Sequence, residues 1–335
     1  MSSSRPPALA LTVRQERFPI RGTFRIARGA KTEAVVLVAE LRDADGRIGR
    51  GECVPYARYG ESVEGVAAAM QGLTAPFAAG GMDRRRLLSA LPPGAARNAL
   101  DCALWDLEAR RTGRPVWELA GLAAPEPLVT AFTLSIDAPA AMATAARTAA
   151  RPLLKLKLAG DGGDLERVAA VRQASPESRL IVDANEGWTP QDLSSLPAAF
   201  ARLGVEMIEQ PLPAGADSAL EGFRSPVPIG ADESVHGLAG LEALAGRYTV
   251  VNVKLDKAGG LTEALAVKAR AQALGLGVMV GCMVATSLSM APALLLAQGA
   301  DYVDLDGPLL LDRDREPGLR YDGATLYPAD TSIWG

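Results

Sequence analysis

The sequence contains very little histidine and cysteine. There is one histidine, His236, in 335 residues, which argues against a histidine-based metal cluster or a Ser-His-Asp triad. Any acid–base chemistry would therefore fall to lysines and carboxylates. The three cysteines, Cys53, Cys102 and Cys282, lie far apart and follow neither metal-site nor disulfide-framework spacing. This pattern favours free thiols in a reducing compartment.

The sequence also lacks an uninterrupted apolar run long enough to cross a membrane. Residues 1–7 do not contain the apolar segment of a signal peptide. The formal net charge of -4 argues against nucleic acid or an anionic membrane as the main partner. We therefore expect a cytoplasmic protein that binds neither nucleic acid nor membrane.

The length of the chain leaves room for two domains. Strand-like segments at residues 9–17, 33–42 and 47–53 precede a helical pattern at residues 94–111. Strands followed by helices predict a separate α+β domain over roughly residues 8–120. Two segments of this domain, residues 24–29 and 54–61, contain arginines and are predicted to be loops. They can be interpreted as plain surface loops or as segments that face a substrate.

From about residue 128, strand-like and helix-like segments alternate. Eight such units are typical of a parallel (β/α) barrel. A doubly wound sheet is the alternative, but it would need a glycine-rich phosphate loop after its first strand, and none is present. The predicted strands cover residues 128–135, 153–158, 180–183, 206–209, 227–232, 250–254, 278–282 and 302–304.

Charged residues recur at the ends of these predicted strands, 22–26 residues apart. The carboxyl ends of barrel strands open into one shared mouth, so these side chains should meet there. Three carboxylates in one place would repel each other unless a hard divalent cation lay between them, and Mg²⁺ prefers such oxygen ligands. The residues are Lys157, Asp183, Glu209, Asp232 and Lys254, with Asp304 and Asp306 at the last strand.

The lysines suggest a reaction. Lys155 and Lys157 should point to the same face of their strand, where burying two ammonium groups is costly without nearby anions. Lys157 and Lys254 would enter the mouth from opposite sides. A neighbouring cation lowers a lysine pKa, so Lys155 and the metal would favour a neutral Lys157 that can accept a proton. A base on each face of one carbon atom is what a racemase or epimerase needs.

Six motifs stand at these positions: Lys155-Leu-Lys157, Asp183-Ala-Asn185, Glu209-Gln-Pro211, Asp232-Glu-Ser234, Lys254-Leu-Asp-Lys257-Ala-Gly259-Gly260 and Asp304-Leu-Asp306. Together they resemble the enolase superfamily in its muconate-lactonizing subgroup and, within it, the bacterial dipeptide epimerases of the L-Ala-D/L-Glu type. The resemblance implies a modified TIM barrel of (β/α)7β type with an α+β capping domain. We expect residues 1–122 to form the capping domain and residues 123–307 the barrel. Residues 308–335 should pack back on the capping domain.

The resemblance also implies a reaction and its catalytic groups. Lys157 and Lys254 would exchange the α-proton of the C-terminal residue of a dipeptide through an enolate, and Lys155 would stabilise the enolate charge. The implied cofactor is one Mg²⁺, with Mn²⁺ as a possible substitute. The implied metal ligands are Asp183, Glu209 and Asp232.

Further residues are implied as contacts to a small dipeptide. Asp304 and Asp306 would receive its ammonium group, and Arg28 would bind a glutamate side chain, because arginine pairs well with carboxylates. The other implied contacts are Tyr56, Thr133, Cys282 and Met283. The resemblance further implies recycling of murein peptides and a homo-oligomeric enzyme. His236 is interpreted as a helix-start residue.

Two alternatives compete with epimerisation. The first is a lyase or cycloisomerase on the same scaffold, such as an o-succinylbenzoate synthase or a muconate cycloisomerase. Asp304 and Asp306 argue against it, because a substrate without an ammonium group gains nothing from paired carboxylates. The second is a non-catalytic metal-binding or interaction protein, which would not need both Lys157 and Lys254.

Overall fold

An antiparallel sheet forms the N-terminal part of the structure, a computed structural model that describes residues 6–335. Its strands pair in the order β1-β2-β3. Residues 1–5, which belong to the expected capping domain and to the start predicted to lack a signal peptide, lie outside the described residues. The strands are β1 (Ala10–Ile26), β2 (Gly29–Arg42) and β3 (Ile48–Cys53).

The hairpin between β1 and β2 extends further than the sequence predicts. Residues 24–29 were expected to form a loop, but Phe24 pairs with Lys31 and Ile26 pairs with Gly29. Only Ala27 and Arg28 remain unpaired, as the two central residues of a tight turn. The loop prediction is therefore wrong for most of this segment, because its two arginines obscured a strand that continues to the turn. The turn places Arg28 at the far end of a long β-ribbon.

Five helices follow this sheet: three of them pack on its strands and the other two pack against the longest helix, which is buried along most of its length. It begins after Gly94 and ends at Gly113, whose left-handed backbone (φ 68°) closes the last turn. The sequence predicted this helix at residues 94–111. The helices are α1 (Val63–Gln71), α2 (Thr74–Ala78), α3 (Arg84–Ala90), α4 (Ala95–Thr112) and α5 (Val116–Leu119). A 3-10 turn at Ala57–Tyr59 lies within the predicted loop of residues 54–61.

Close contact between β3 and α4 depends on glycine at the strand. A Cβ atom at Gly51 would lie 2.1 Å from the carbonyl oxygen of Ala99 and 2.8 Å from the backbone nitrogen of Ala103. We expect Gly51→Ala to push the helix from the sheet and lower the free energy of unfolding by about 1–3 kcal/mol or more. Urea unfolding measures the change. Gly246→Ala is the control, because its Cβ would meet no atom within 4 Å; equal stability of the two variants would contradict the prediction.

The second part of the chain is a parallel barrel of eight strands in sequential order, which confirms the predicted fold. The two end strands of the row meet where the backbone N–H of Ala131 donates to Val303 at 2.8 Å. The strands are β5 (Phe132–Leu134), β6 (Leu153–Lys157), β7 (Arg179–Asp183), β8 (Val205–Glu209), β9 (Ile229–Ala231), β10 (Val250–Val253), β11 (Gly277–Gly281) and β12 (Tyr302–Asp304).

Helices cover most of the outside of the barrel, and two short helices that follow β10 and β12 contact the N-terminal part of the chain. The helices are α6 (Pro139–Ala149), α7 (Asp164–Ala174), α8 (Pro190–Arg202), α9 (Leu241–Leu244), α10 (Leu255–Ala258), α11 (Leu261–Ala273), α12 (Ser287–Ala297) and α13 (Gly307–Leu310). After β8 the connection has a 3-10 turn, Ser218–Leu220, instead of a full helix. Across residues 6–335 no helix combines the length and apolar character needed to span a membrane.

The interior of the barrel explains the direction of the lysines. Leu153, Ile181 and Met207 form a buried cluster inside the barrel, whereas Leu154 and Leu156 belong to the core beneath the helices. Side chains alternate along a strand, so Lys155 and Lys157 share the inner face with Leu153. The apolar cluster closes the barrel below them, and the lysines point toward the mouth.

The predicted strand at residues 128–135 is divided. Residues Leu128–Val129 form β4, which pairs with the C-terminal hairpin of β13 (Tyr321–Asp322) and β14 (Thr325–Leu326). The division falls at Thr130, whose backbone N–H donates to Ala324 and whose hydroxyl accepts from Leu305 N–H at 2.8 Å. The prediction of one strand is wrong because the tail of the chain, remote in sequence, competes for the first part of it.

The C-terminal segment also contacts the N-terminal sheet and helices. Trp334 Nε1 donates to the carbonyl oxygen of Cys102 in α4 at 3.0 Å. Arg315 Nη2 donates to Glu52 Oε2 at 2.6 Å, and the backbone N–H of Thr286 donates to the same carboxylate. Burial raises the pKa of Glu52, while Arg315 and Thr286 counteract that shift. These contacts support our proposal that residues 308–335 complete a capping domain.

Candidate active site

Three carboxylates converge at the mouth of the barrel. Asp183 and Glu209 end β7 and β8, and Asp232 directly follows β9, so consecutive strands deliver them to one point. They are at most 2% exposed. One oxygen from each lies within 4.8 Å of the others. The sequence places these residues correctly at the strand ends, and the barrel brings them together.

The surroundings of the triad fit a divalent cation. Burial opposes ionisation of Asp183 and Asp232, but their lysine neighbours outweigh it and hold both pKa values below the usual range. Burial and the charge of Asp183 raise the pKa of Glu209. Glu209 Oε2 lies 2.6 Å from Lys155 Nζ, so the two buried groups form an ion pair. Three buried carboxylates with one oxygen each in close proximity form an oxygen-only donor set, which suits Mg²⁺.

Two buried lysines flank the triad from opposite strands. Lys157 ends β6 and donates to Asp183 Oδ2 at 2.6 Å, whereas Lys254 directly follows β10 and donates to Asp232 Oδ2 at 2.7 Å. Four strand positions separate β6 from β10 in the eight-stranded row. Burial lowers the pKa of Lys254, but Asp232 and Glu209 more than offset this effect and raise it. The lysines therefore lie across the barrel mouth from one another.

Lys155 lies between the triad and the last barrel strand. Its Nζ is 2.8 Å from Asp304 Oδ2 and 3.5 Å from Asp183 Oδ2. Burial lowers its pKa, but Asp304 and Glu209 outweigh burial and raise the pKa well above its ordinary value. Lys155 is therefore a fixed positive charge beside the triad.

The two remaining acidic residues differ in their environment. Asp304 Oδ1 is buried and has no hydrogen-bond partner within residues 6–335. Asp306 accepts from the backbone N–H of Thr133 at 2.6 Å, and burial together with Asp304 raises its pKa to about 7. Cys282 and Met283 follow β11 and are partly buried. Burial, with Asp304 next, raises the pKa of the Cys282 thiol.

Arg28 reaches the barrel mouth from the tip of the β1–β2 hairpin. Its Nη1 donates to Asn185 O at 2.8 Å and to Glu186 Oε2 at 3.0 Å. Its Nη2 donates to the hydroxyl of Tyr56 at 3.2 Å and to Glu233 Oε1. Arg28 and Tyr56, both predicted from the sequence, are therefore in contact with each other. Arg28 also binds Glu233, the residue that follows the triad member Asp232.

Sequence reasoning assigned no role to several residues of this site. Glu233 lies within the predicted Asp-Glu-Ser motif, and burial together with Asp232 raises its pKa to about 7. Asn252 donates to Glu209 Oε1 at 2.6 Å. It is the one polar residue of the otherwise apolar strand β10, and this pattern could have indicated a role in the site. Arg58 lies in the segment 54–61 that contains a predicted loop arginine, but nothing in the sequence indicates its partner Glu186, which is 128 residues away.

Two residues near the site have supporting contacts. Lys257 donates to Asp232 Oδ1 at 2.5 Å and to Asn252 O at 2.9 Å, behind the triad. Burial lowers its pKa. His236 was expected to start a helix, but it lies in the loop before α9 and packs edge-on against Tyr59 with ring centres 4.6 Å apart. The helix prediction is wrong because the connection after β9 remains irregular until Leu241.

Comparisons with known proteins agree with this geometry. Residues 8–121 match the family model for the mandelate racemase / muconate lactonizing enzyme N-terminal domain. Residues 139–323 match the enolase C-terminal domain-like family. The chain is 48% identical over 317 residues to the L-Ala-D/L-Glu epimerase of Escherichia coli, covering 93% of this chain and 98% of that protein. It is 47% identical to an N-acetyl-D-glutamate racemase of Pseudoalteromonas, and the match covers 86% of this chain and 91% of that protein.

A solved structure gives the same result. It is an enolase family member from Agrobacterium tumefaciens with homology to dipeptide epimerases, with bound sodium and L-Ala-L-Glu. Its TM-score is 0.95 at 50% identity, covering 98% of this chain and 100% of that one. The resemblance predicted from the motifs is confirmed. The chain belongs to the enolase superfamily, with the N-terminal and C-terminal domains of the mandelate racemase / muconate lactonizing enzyme family.

Proposed function

We propose that this protein is a dipeptide epimerase that interconverts the L and D configurations at the C-terminal residue of L-Ala-Glu. The observation that carries the proposal is the pair of buried lysines, Lys157 and Lys254, on opposite sides of a carboxylate triad. A single base suffices for elimination or for one-sided proton exchange. Inversion of configuration needs a proton donor on the face opposite the base.

The triad residues Asp183, Glu209 and Asp232 would hold one Mg²⁺, with Mn²⁺ as a possible substitute. The bound cation would neutralise these carboxylates, lower the lysine pKa values and make the α-proton more acidic. Lys155 would place its fixed ammonium charge beside the carboxylate on which negative charge develops.

Proton transfer then needs no other base. The neutral lysine on one face removes the α-proton, and the ammonium group of the opposite lysine donates a proton to the other face. After the transfer the two lysines have exchanged protonation states. The substrate ammonium group would pair with Asp304 and Asp306, of which Asp304 has an unsatisfied buried oxygen. Recycling of murein peptides, a cytoplasmic location and a homo-oligomeric state remain predictions.

A deuterium-exchange experiment tests the function. The enzyme with Mg²⁺ is incubated in deuterated water with a dipeptide library, N-acetyl-L-glutamate and o-succinylbenzoate precursors. We expect α-deuterium at the C-terminal residue, fastest with L-Ala-L-Glu and L-Ala-D-Glu. N-Acetylglutamate lacks an ammonium group for Asp304 and Asp306 and should react more slowly. Preferential turnover of N-acetylglutamate, or of the lyase substrate alone, would contradict the proposal.

The specificity for glutamate is expected to depend on Arg28. Arg28→Ala should lower kcat/KM for L-Ala-L-Glu by roughly 10- to 150-fold, because a hydrogen bond to a charged group contributes about 1.5–3 kcal/mol. For a dipeptide with a neutral C-terminal side chain, the same variant should show a much smaller decrease in kcat/KM. Arg25→Ala, on the same hairpin, is the matched control. Equal losses for charged and neutral dipeptides would argue against Arg28 as the specificity residue.

A further inference from the structure

Glu186 connects the barrel to both capping loops. It lies three residues after Asp183, and its side chain is 8% exposed. Oε1 accepts from Arg58 Nη2 at 2.5 Å and from the backbone N–H of Ala214 at 2.8 Å. Oε2 accepts from Arg58 Nε at 2.6 Å and from Arg28 Nη1 at 3.0 Å. One carboxylate therefore holds two arginines, one from the hairpin turn (residues 27–28) and one from the aromatic loop (residues 54–61).

The backbone at this point is unusual. Asn185 and Glu186 have φ angles of 45° and 68°, a left-handed conformation that residues with a Cβ atom rarely adopt. The backbone N–H of Glu186 donates to Gln210 O at 2.8 Å, which secures the conformation to the next barrel loop. Such unfavourable conformations persist where surrounding contacts enforce them, often at functional sites. Here the conformation directs the Glu186 side chain toward the cap.

The orientation of Arg28 depends on this carboxylate. Each terminal nitrogen of Arg28 serves two acceptors, with Asn185 and Glu186 on Nη1 and Tyr56 and Glu233 on Nη2. Arg58 does not contribute a hydrogen bond to Arg28, but the two arginines share Glu186 as a hydrogen-bond partner. The aromatic loop has a second attachment to the barrel, where Tyr59 packs on His236. Movement of the aromatic loop would therefore change the partners available to Arg28.

We propose that Glu186 is a positioning residue that couples closure of the aromatic loop to the orientation of Arg28, and thereby to selectivity for an acidic C-terminal side chain. The proposal rests on the dipeptide epimerase function proposed above. Glu186 acts through Arg28 and Arg58 and takes no part in proton transfer. Loss of its charge should therefore weaken binding of an acidic dipeptide and leave the chemical step intact.

Kinetics of Glu186→Gln test the coupling, since glutamine keeps the size and the backbone but removes the charge. We expect KM for L-Ala-L-Glu to rise about tenfold while kcat stays within about threefold, the effect of a weakened, partly exposed ion pair. The kcat/KM for L-Ala-L-Leu should change by less than about threefold. Glu206→Gln is the matched control, because Glu206 makes a similar two-point contact with Arg179 near the starts of β7 and β8.

Hydrogen–deuterium exchange gives a second readout that does not require activity. In the Mg²⁺-loaded enzyme, amides of residues 54–61 should exchange about tenfold faster in Glu186→Gln and in Arg58→Gln than in the wild type or Glu206→Gln. The double variant should exchange no faster than either single variant, because both remove the same ion pair. Arg58→Gln also keeps the test valid if Glu186→Gln does not fold.

The outcomes separate this proposal from the proposed function. Unchanged loop exchange, or equal losses for acidic and neutral dipeptides, would overturn the role of Glu186. A fall in kcat with unchanged KM would also overturn it, because that result would place Glu186 in the chemical step. If no dipeptide is epimerised by the wild type, the proposed function fails, while the exchange experiment still decides whether Glu186 holds the loop.

Discussion

Replacing Lys157 or Lys254 with alanine will abolish net epimerisation but leave stereospecific proton exchange. Each lysine faces one side of the barrel mouth, so each variant keeps the base for one stereoisomer only. Lys157→Ala should label one of L-Ala-L-Glu and L-Ala-D-Glu with deuterium, and Lys254→Ala should label the other. Removal of a general base costs about 10²–10⁴-fold for the step that it serves. The remaining exchange is followed by NMR of the α-position in deuterated water with Mg²⁺.

Two further variants control this experiment. Lys268→Ala removes a lysine that donates to Leu296 O at the end of α12, remote from the triad, and should epimerise normally. Lys257→Met keeps most of the buried volume behind Asp232 while removing the ammonium group, and it should keep both exchange reactions. If Lys254→Ala still inverts configuration while Lys257→Met does not, the base after β10 is Lys257.

Removing the proposed divalent metal by chelation is also expected to abolish activity, and so is replacing any one carboxylate of the triad with an amide. The expected loss is at least about 10³-fold, since a bound cation contributes several kcal/mol to stabilising developing negative charge. Chelation should inactivate the wild type, and added Mg²⁺ should restore it. Asp183→Asn, Glu209→Gln and Asp232→Asn should not be restored.

Thermal unfolding supplies an independent measure of metal binding. A ligand that binds only the folded state stabilises it by about 2.7 kcal/mol at a concentration one hundred times its Kd. Mg²⁺ should therefore raise the Tm of the wild type and of the exposed control Asp322→Asn, but not that of Asp232→Asn. Full turnover by metal-stripped enzyme, or an equal Tm increase in Asp232→Asn, would show that the triad is not the metal site.

The sequence predicts the barrel well because most of its strands are short, largely apolar runs that end in, or are directly followed by, a charged residue. Val250–Val253 followed by Lys254 is one example, and the same pattern places Asp183 and Glu209. The direction of the lysines also follows from strand alternation alone. The local sequence pattern was sufficient to predict these site residues, because they lie at strand ends. Each repeated strand–helix unit of the barrel brings one strand end to the same mouth.

The predictions from the sequence fail where segments that are distant in the chain contact each other. The strand at residues 128–135 is divided because β14 pairs with its first two residues, almost 200 residues later in the chain. The contacts of Glu186 and Glu233 with Arg28 join segments that are more than 150 residues apart. Nothing in the neighbouring sequence of these residues indicates such partners. The sequence therefore indicated Arg28 itself and the proposed catalytic residues, whereas the acidic partners of Arg28 required the structure.

The contact of Arg315 with Glu52 has a consequence for synthesis of the protein. Glu52 is 1% exposed, and the groups that satisfy its carboxylate, Thr286 and Arg315, are made more than 200 residues later. Before those residues are made, packing of the N-terminal sheet would bury the Glu52 carboxylate without a partner. Burial of an unpaired carboxylate is unfavourable. We therefore expect the N-terminal sheet to reach its final packing only after Arg315 has been synthesised. Folding of this protein is therefore expected to be slow and largely post-translational, as is typical of proteins rich in long-range contacts.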